Sequence, residues 1–109
     1  VCIYGKAQIG SNSVILSNTT IGSEGFSFYF DADEFFHFPH LGSVLIGDNV
    51  WIGSNCTVEK SQIDQTIIED HVKIDDMVNI AHNTIIKNLN LNIDNWLNNL
   101  LSSKCHSFN

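Results

Sequence analysis

The amino-acid sequence predicts an all-β protein, a parallel β-helix whose short strands and tight turns repeat every six residues. Two observations support this prediction. The chain is rich in Asn and has a single Pro, and Asn accepts the left-handed backbone of tight turns but disfavours long helices. Branched aliphatic residues also recur with six-residue spacing in three blocks: Ile3, Ile9, Ile15 and Ile21; Ile46, Ile52 and Val58; Ile68, Ile74, Ile80 and Ile86.

Each repeat has a simple physical interpretation. One large aliphatic residue points into a narrow core, and the small residue four positions later shares that core near a corner, as Ala7 does after Ile3. Three repeats close a triangular coil, so parallel strands pair from coil to coil. A β-sandwich of amphipathic strands is the alternative, but its alternation has a period of two and leaves the six-residue spacing unexplained.

Two breaks in the repeat mark insertions. Residues 25–43, GFSFYFDADEFFHFPHLGS, fit no repeat and contain six of the seven Phe residues, so we assign an excursion from the β-helix to residues 25–45. A Phe-rich loop does not stay free in water, and we expect it to lie against its own coil or a neighbouring subunit. The second break adds four residues around Ser61–Asp64.

The repeats predict one β-helical domain over residues 1–87, followed by a divergent tail over residues 88–109. Apolar residues of the tail have the spacing of a short amphipathic helix from about Asp94 to Ser102. The open end of a solenoid needs covering, so we interpret this helix as a cap, with a frayed tail as the alternative.

Composition excludes several classes of partner and compartment. There are 5 Lys, no Arg and 12 acidic residues, with a formal net charge of −7, which argues against nucleic-acid binding and against a polybasic membrane patch. No apolar run approaches the roughly 20 residues of a transmembrane segment. Cys2, Cys56 and Cys105 are odd in number and far apart, which excludes a closed disulfide framework and favours the reducing cytoplasm.

His82 is the main candidate for chemistry. It lies in the sequence NIAHN, two positions after the core residue Ile80, which places it at a corner with its side chain pointing outward. A neutral imidazole there could act as a general base. A surface histidine with no role is the alternative.

Metal and nucleophile chemistry have less support. Cys56 occupies an inward position, where packing explains it better than catalysis. No H-x3–5-H or C-x-x-C pair is present, so we predict no metal site. A zinc site would have to use these residues: His37, His40, His71 and His82.

Three stretches resemble the UDP-3-O-acylglucosamine N-acyltransferases of lipid A biosynthesis, a family of hexapeptide-repeat acyltransferases. They are IGSEGFSF (21–28), HFPHLGSVLIGDNVWIGSN (37–55) and TVEKSQIDQTIIEDHVKIDDMVNIAHN (57–83). The resemblance covers about residues 1–87 and includes both insertions. It implies a left-handed coil and a homotrimer with active sites in the grooves between neighbouring β-helices.

The resemblance also implies an activity and its residues. The family transfers a 3-hydroxyacyl chain from acyl carrier protein to the 2-amine of a UDP-3-O-acylglucosamine, without a cofactor. His82 matches the catalytic histidine, and Asp75 matches an acidic residue that supports it. The remaining matched positions are assigned to substrate binding: Phe26 and Phe28 in the loop beside the groove, Asp76, which replaces the usual Asn, and Asn83.

The chain departs from the family outside the repeats. We find no counterpart of the uridine-binding domain, of the later coils with a second functional histidine, or of the carrier-protein helices. We therefore interpret the chain as the middle of such an enzyme, truncated or frame-shifted after Ile86 and weakly active or inactive alone. Two alternatives stay open: another hexapeptide-repeat sugar acetyltransferase, or a non-catalytic solenoid. The 25–43 loop and the Ser61–Asp64 insertion favour the first interpretation over the acetyltransferase.

Overall fold

The computed structural model describes residues 1–88, which form short strands joined by turns and contain no helix, and so none that could cross a membrane. The strands are Cys2–Ile3 (β1), Ala7–Ile9 (β2), Val14–Ile15 (β3), Thr20–Ser23 (β4), Phe28–Asp31 (β5), Glu34–His37 (β6), Ser43–Ile46 (β7), Trp51–Ile52 (β8), Thr57–Glu59 (β9), Gln65–Ile68 (β10), Lys73–Ile74 (β11), Asn79–Ile80 (β12) and Ile85–Ile86 (β13). The predicted cap helix over Asp94–Ser102 lies outside the described residues.

The strands assemble into the walls of a triangular coil. Three parallel sheets have the orders β1-β4-β9-β12, β2-β7-β10-β13 and β3-β8-β11, and β5 and β6 form a separate antiparallel hairpin. Outside the hairpin, consecutive strands belong to successive sheets, so the chain winds around a common axis and pairs with itself from coil to coil. The predicted all-β parallel β-helix is confirmed. Its left-handed sense stays a prediction of the resemblance.

Strand register measures the length of each coil. Ile3 pairs with Ile21, a separation of 18 residues, as expected for three repeats of six. Ile46 pairs with Ile68, a separation of 22, and the additional four residues confirm the predicted short insertion. Ile21 pairs with Val58, a separation of 37, which is 19 more than a regular coil. The excursion therefore adds a loop, and the strand pairing beside it shifts register only locally, between Ile21 and Ser23.

The core is a single column of inward-facing side chains. β-Branched and aliphatic residues fill it because each buried side chain stabilises the fold by about 1.5–3 kcal/mol. The members that are at most 3% exposed are Ile21, Val44, Ile46, Val50, Ile52, Cys56, Val58, Ile68, Ile74, Val78 and Ile80. They include Ile46, Ile52, Val58, Ile68, Ile74 and Ile80 of the predicted series, whereas Ile86 is only partly buried.

Two inward hydroxyl groups satisfy backbone groups between coils. The Thr19 hydroxyl donates to the Gly53 carbonyl at 2.6 Å and accepts from the Cys56 N–H at 3.2 Å. Ser13 makes the equivalent pair one corner earlier, donating to the Gly47 carbonyl at 2.9 Å and accepting from the Val50 N–H at 3.1 Å. A polar residue is tolerated at this small inward position because both of its hydrogen bonds are made.

At seven corners of the β-helix one residue turns the chain with a positive φ. It lies three positions after the inward aliphatic residue and has a φ of 57–65°. Gly adopts this left-handed conformation freely. Every residue with a Cβ adopts it at a cost in free energy, and that cost is low for Asn. The residues are Asn12, Asn18, Asn49, Asn55, His71, Met77 and Asn83. The high Asn content of the described chain thus has a local physical cause.

Met77 is the least favourable corner residue, because its side chain is 76% exposed and no turn preference offsets the left-handed backbone. We expect Met77→Asn to raise the free energy of unfolding by about 0.5–1 kcal/mol, a part of the cost of a left-handed residue. Chemical denaturation followed by circular dichroism measures the change.

The matched control is Asn55→Met, one coil earlier at the same corner, where φ is 57°. We expect it to lower the free energy of unfolding by a similar amount. Equal stability of Met77→Asn and the unchanged chain would contradict the assignment of strain to this corner.

Candidate active site

Both insertions and His82 lie at the same corner of the β-helix. The excursion connects β4 to β7, the four-residue insertion connects β9 to β10, and His82 lies in the turn between β12 and β13. All three segments run between the same two sheets. Because the coils stack in register, the segments lie one above another, and side chains of three successive coils meet there.

The excursion is an exposed aromatic hairpin held at its base. β5 and β6 are joined at Ala32 and Asp33, both with positive φ, and every residue of the two strands is exposed. The expected cover by the protein's own coil is therefore not found for these strands. The chain rejoins the β-helix at Ser43, which pairs with Gln65, so the last residues of the excursion assigned to 25–45 belong to β7.

The four-residue insertion binds the returning leg of the excursion. The Leu41 and Gly42 N–H groups donate to the Gln62 and Ser61 carbonyls, each at 2.9 Å. The Gln62 side-chain amide also lies 3.2 Å from the Ser27 hydroxyl on the outgoing leg. The two insertions are thus parts of one structure.

Asn83 orients the imidazole of His82. The Asn83 side-chain oxygen accepts from the Gln62 backbone N–H at 3.1 Å, which fixes which end of the amide is the oxygen. The same oxygen lies 3.2 Å from His82 Nδ1, so Nδ1 carries the proton and donates it to Asn83. The lone pair of His82 is therefore on Nε2. The His82 backbone N–H donates to Glu59 at 3.2 Å.

His40 packs against His82 from the excursion. The two rings meet edge to face with centroids 4.9 Å apart. His40 is 1% exposed, and its Nδ1 lies 3.0 Å from the Phe38 carbonyl. Gly25 makes this approach possible: an added Cβ would lie 2.6 Å from His40 Nε2 and 2.8 Å from His82 Cδ2. Gly25 is needed here for close packing rather than for its φ.

An ionic cluster lies beside the histidines. Glu24 Oε1 accepts from the Lys60 ammonium at 2.9 Å, and Glu24 Oε2 accepts from the His40 backbone N–H at 3.1 Å. The hydrogen bond from Lys60 holds the pKa of Glu24 below its ordinary value, against a smaller upward effect of burial. The resulting stabilisation is present at neutral pH and is lost as the pH falls through the lowered pKa. It is modest, because the carboxylate is half exposed.

The two predicted aromatic residues lie on the outgoing leg of the excursion. Phe26 is 87% exposed and meets the Phe28 ring edge-on, with centroids 5.0 Å apart. Phe28 contacts His37 with centroids 5.2 Å apart. The aromatic pair therefore reaches the histidines through His37, and its role in substrate binding stays a prediction.

Asp75 and Asp76 lie at a different corner from His82. They follow β11, whereas His82 follows β12 in another sheet. Asp76 accepts from the Ser54 N–H of the preceding coil at 2.8 Å, and its own N–H donates to Asp75 at 2.9 Å. Asp76 thus has a structural contact of its own, and the predicted roles of both residues stay predictions.

Comparison with known proteins identifies relatives of this chain. A protein of Coxiella burnetii (strain RSA 493 / Nine Mile phase I) named UDP-3-O-acylglucosamine N-acyltransferase is 44% identical over 87 residues, which cover 79% of this chain and 25% of that protein. The chain is related to the UDP-3-O-acylglucosamine N-acyltransferases. The resemblance seen in the sequence is thereby confirmed.

A second relative agrees. A protein of Legionella pneumophila subsp. pneumophila (strain Philadelphia 1), named UDP-3-O-acylglucosamine N-acyltransferase 2, is 44% identical over 80 residues, which cover 73% of this chain and 23% of that protein. The chain therefore spans about a quarter of the length of these curated N-acyltransferases. No protein-family model matches it.

Several neighbours of His82 were not predicted from the sequence. The sequence assigns His40 no role at the site of His82, and the zinc set that contains His40 also contains His71, which lies exposed in the turn between β10 and β11. The sequence also assigns no role in the site to Glu24, Lys60 or Gly25. The phase of the repeats could have indicated these contacts. The excursion interrupts the repeats two coils before His82 and the short insertion one coil before it, so all three occupy the same corner of the triangle.

Gly25→Ala tests the packing of the excursion against His82. We expect the free energy of unfolding to fall by about 1–3 kcal/mol, because the added methyl group overlaps His40 and His82. Thermal and chemical denaturation measure the loss.

A double-mutant cycle with His40→Ala provides the control. Removing the His40 ring makes room for the methyl group, so the two losses should be clearly less than additive. Additive losses would show that Gly25 does not contact His40 in the folded chain.

Proposed function

We propose that this chain supplies the catalytic base of an N-acyltransferase of lipid A biosynthesis. The enzyme would transfer a 3-hydroxyacyl chain from acyl carrier protein to the 2-amine of a UDP-3-O-acylglucosamine. The observation that carries the proposal is the orientation of His82: Asn83 holds its Nδ1 proton, which leaves Nε2 as a base at the corner where both insertions meet. The names of the two relatives support the reaction class.

The proposed chemistry is direct acyl transfer. The sugar amine attacks the thioester carbon while His82 Nε2 takes a proton from the nitrogen, and a tetrahedral intermediate forms. The intermediate collapses with loss of the carrier thiolate, which receives the proton from His82. A positioned general base of this kind contributes about 10²–10⁴ in rate. A backbone N–H would stabilise the oxyanion, and the reaction requires no cofactor.

We propose a homotrimer, because one protomer leaves apolar surface beside the site. The outer face of the β7, β10 and β13 sheet carries a column of Leu45, Ile67 and Ile85, which pair in register. Ile85 is 51% exposed, and the aromatic hairpin next to this face is also exposed. By comparison, the outer face of the β4, β9 and β12 sheet is polar and carries Thr20, Thr57 and Asn79. A second subunit that covers the apolar face would also close a groove over His82.

Asp75 fits this proposal as a residue of a neighbouring subunit. Within one protomer, strand β12 separates the corner of Asp75 from the corner of His82. Within the protomer, His82 is already oriented by Asn83. A carboxylate from another subunit would stabilise the imidazolium that forms during transfer.

We place the enzyme in the cytoplasm, where acyl carrier protein is available. The thiols of Cys2 and Cys56 are free, which is compatible with a reducing compartment.

Ile67→Asp tests the proposed interface. We expect the unchanged chain to sediment as a trimer and Ile67→Asp to sediment as a folded monomer, because a charge would be buried in the contact between subunits. Sedimentation velocity measures the mass, and circular dichroism verifies the fold.

The matched control is Asn79→Asp. Like Ile67, Asn79 is an outward strand residue directly before a buried Ile, but it lies on the polar face. It should leave the trimer intact. A monomeric unchanged chain, or equal effects of the two variants, would refute the interface.

Replacement of the matching segment in the Coxiella burnetii relative by residues 1–87 of this chain tests the activity. The chimaera contains the parts of that enzyme outside the match. We expect it to transfer a 3-hydroxyacyl chain from acyl carrier protein to UDP-3-O-acylglucosamine, and His82→Ala to lower kcat by about 10²–10⁴. A discontinuous assay of acylated sugar measures both.

His71→Asn is the control for this experiment, because His71 is an exposed corner histidine outside the site. It should leave kcat unchanged. Undiminished transfer by His82→Ala would refute the role of the base. A folded, inactive chimaera would support the non-catalytic alternative, and transfer from acetyl-CoA alone would support a sugar acetyltransferase.

A further inference from the structure

Contrary to the prediction from sequence spacing, we propose that Glu24, His37 and His40 form a binding site for a late first-row divalent metal ion, best suited to Zn²⁺, at the base of the aromatic hairpin. One ligand atom from each residue lies within 4.8 Å of the other two. This site is separate from the acyl-transfer chemistry proposed for His82 and does not depend on it.

The distances between the ligand atoms fit a zinc ion. Glu24 Oε2 lies 3.4 Å from His40 Nδ1 and 3.9 Å from His37 Nε2. Zn²⁺ binds nitrogen and oxygen at about 2.0–2.2 Å in tetrahedral geometry, which separates neighbouring ligand atoms by about 3.3–3.6 Å. The two imidazole nitrogens lie within 4.8 Å of each other, so the side chains would draw together to place one ion in contact with all three atoms.

The donor set selects the class of metal. Two imidazoles and one carboxylate suit Zn²⁺, Co²⁺ and Ni²⁺, whereas Mg²⁺ and Ca²⁺ prefer sites built from oxygen ligands. The neighbouring cation does not occupy the required oxygen, because Lys60 binds Glu24 Oε1 at 2.9 Å and leaves Oε2 directed at the imidazoles.

The metal would replace two weak constraints on the rings. His37 Nε2 lies 3.0 Å from the Gly25 carbonyl, and His40 Nδ1 lies 3.0 Å from the Phe38 carbonyl. Each neutral imidazole would bind the ion through the nitrogen that now faces Glu24 and carry its proton on the other ring nitrogen, which in His40 is the buried Nε2 without a hydrogen-bond partner among the described residues. The His40 ring is buried and parallel to His37, with an interplanar angle of 19°, so it is already held in place.

The proposed ligands come from both legs of the excursion. Glu24 stands at the beginning of the excursion, His37 ends β6, and His40 lies on the returning leg. A bound ion would therefore tie both legs of the excursion together at the coil. Since His40 packs on His82, the ion would also stabilise the wall of the candidate active site.

Isothermal titration with ZnCl₂ tests the site, in a chain with Cys2→Ser and Cys105→Ser so that thiolates do not compete. We expect one Zn²⁺ per chain, a rise in melting temperature on addition of Zn²⁺, and no comparable effect of MgCl₂. Bound Co²⁺ should show the intense visible absorption of a tetrahedral site.

The variants His37→Gln and Glu24→Gln should each weaken Zn²⁺ binding by about tenfold or more. Both residues are at least one-third exposed, so the variants should remain folded by circular dichroism. His71→Gln is the matched control and should bind as the parent chain does. Absence of stoichiometric Zn²⁺ binding to the folded parent would overturn the proposal, as would equal affinity of the two ligand variants and the control.

Discussion

Seven turns of this β-helix use a residue with a positive φ, three positions after an inward aliphatic side chain. The chain changes direction there within a few residues, so the flanking strands remain only two to four residues long. Because the corner and the inward residue have a fixed separation, the side chains of all regular repeats stay in phase. The buried column, the parallel pairing and the Asn content of the described chain all depend on this local geometry.

The same geometry determines where the chain can be interrupted. An insertion within a strand would move the following inward side chain to the outer face, because successive residues of a strand alternate between faces. An insertion at a corner leaves the register intact, as the coil separations of 18, 22 and 37 residues show. Both insertions use one corner, so they stack and support each other beside His82, while the core is unaffected.

Asn83 links the architecture to the chemistry. It is a corner residue, with a φ of 61°, and its side chain also bridges the Gln62 N–H and His82 Nδ1. The Gln62 N–H comes from the four-residue insertion of the preceding coil. The protonated nitrogen of the proposed base is therefore determined by a turn residue and an insertion, and not by a carboxylate of the same corner.

The sequence by itself determined the fold class, the inward residues, the lengths of both insertions and the corner position of His82. These follow from the six-residue period, which is a local property of the backbone. The tertiary structure decided which side chains meet: His40 with His82, and Glu24 with Lys60 and His37. The period shows only whether a residue points in or out. A contact between coils depends in addition on the path of the excursion, which has no repeat. It also depends on the stacking of the coils, which brings His40 next to His82 although the two are 42 residues apart in the sequence.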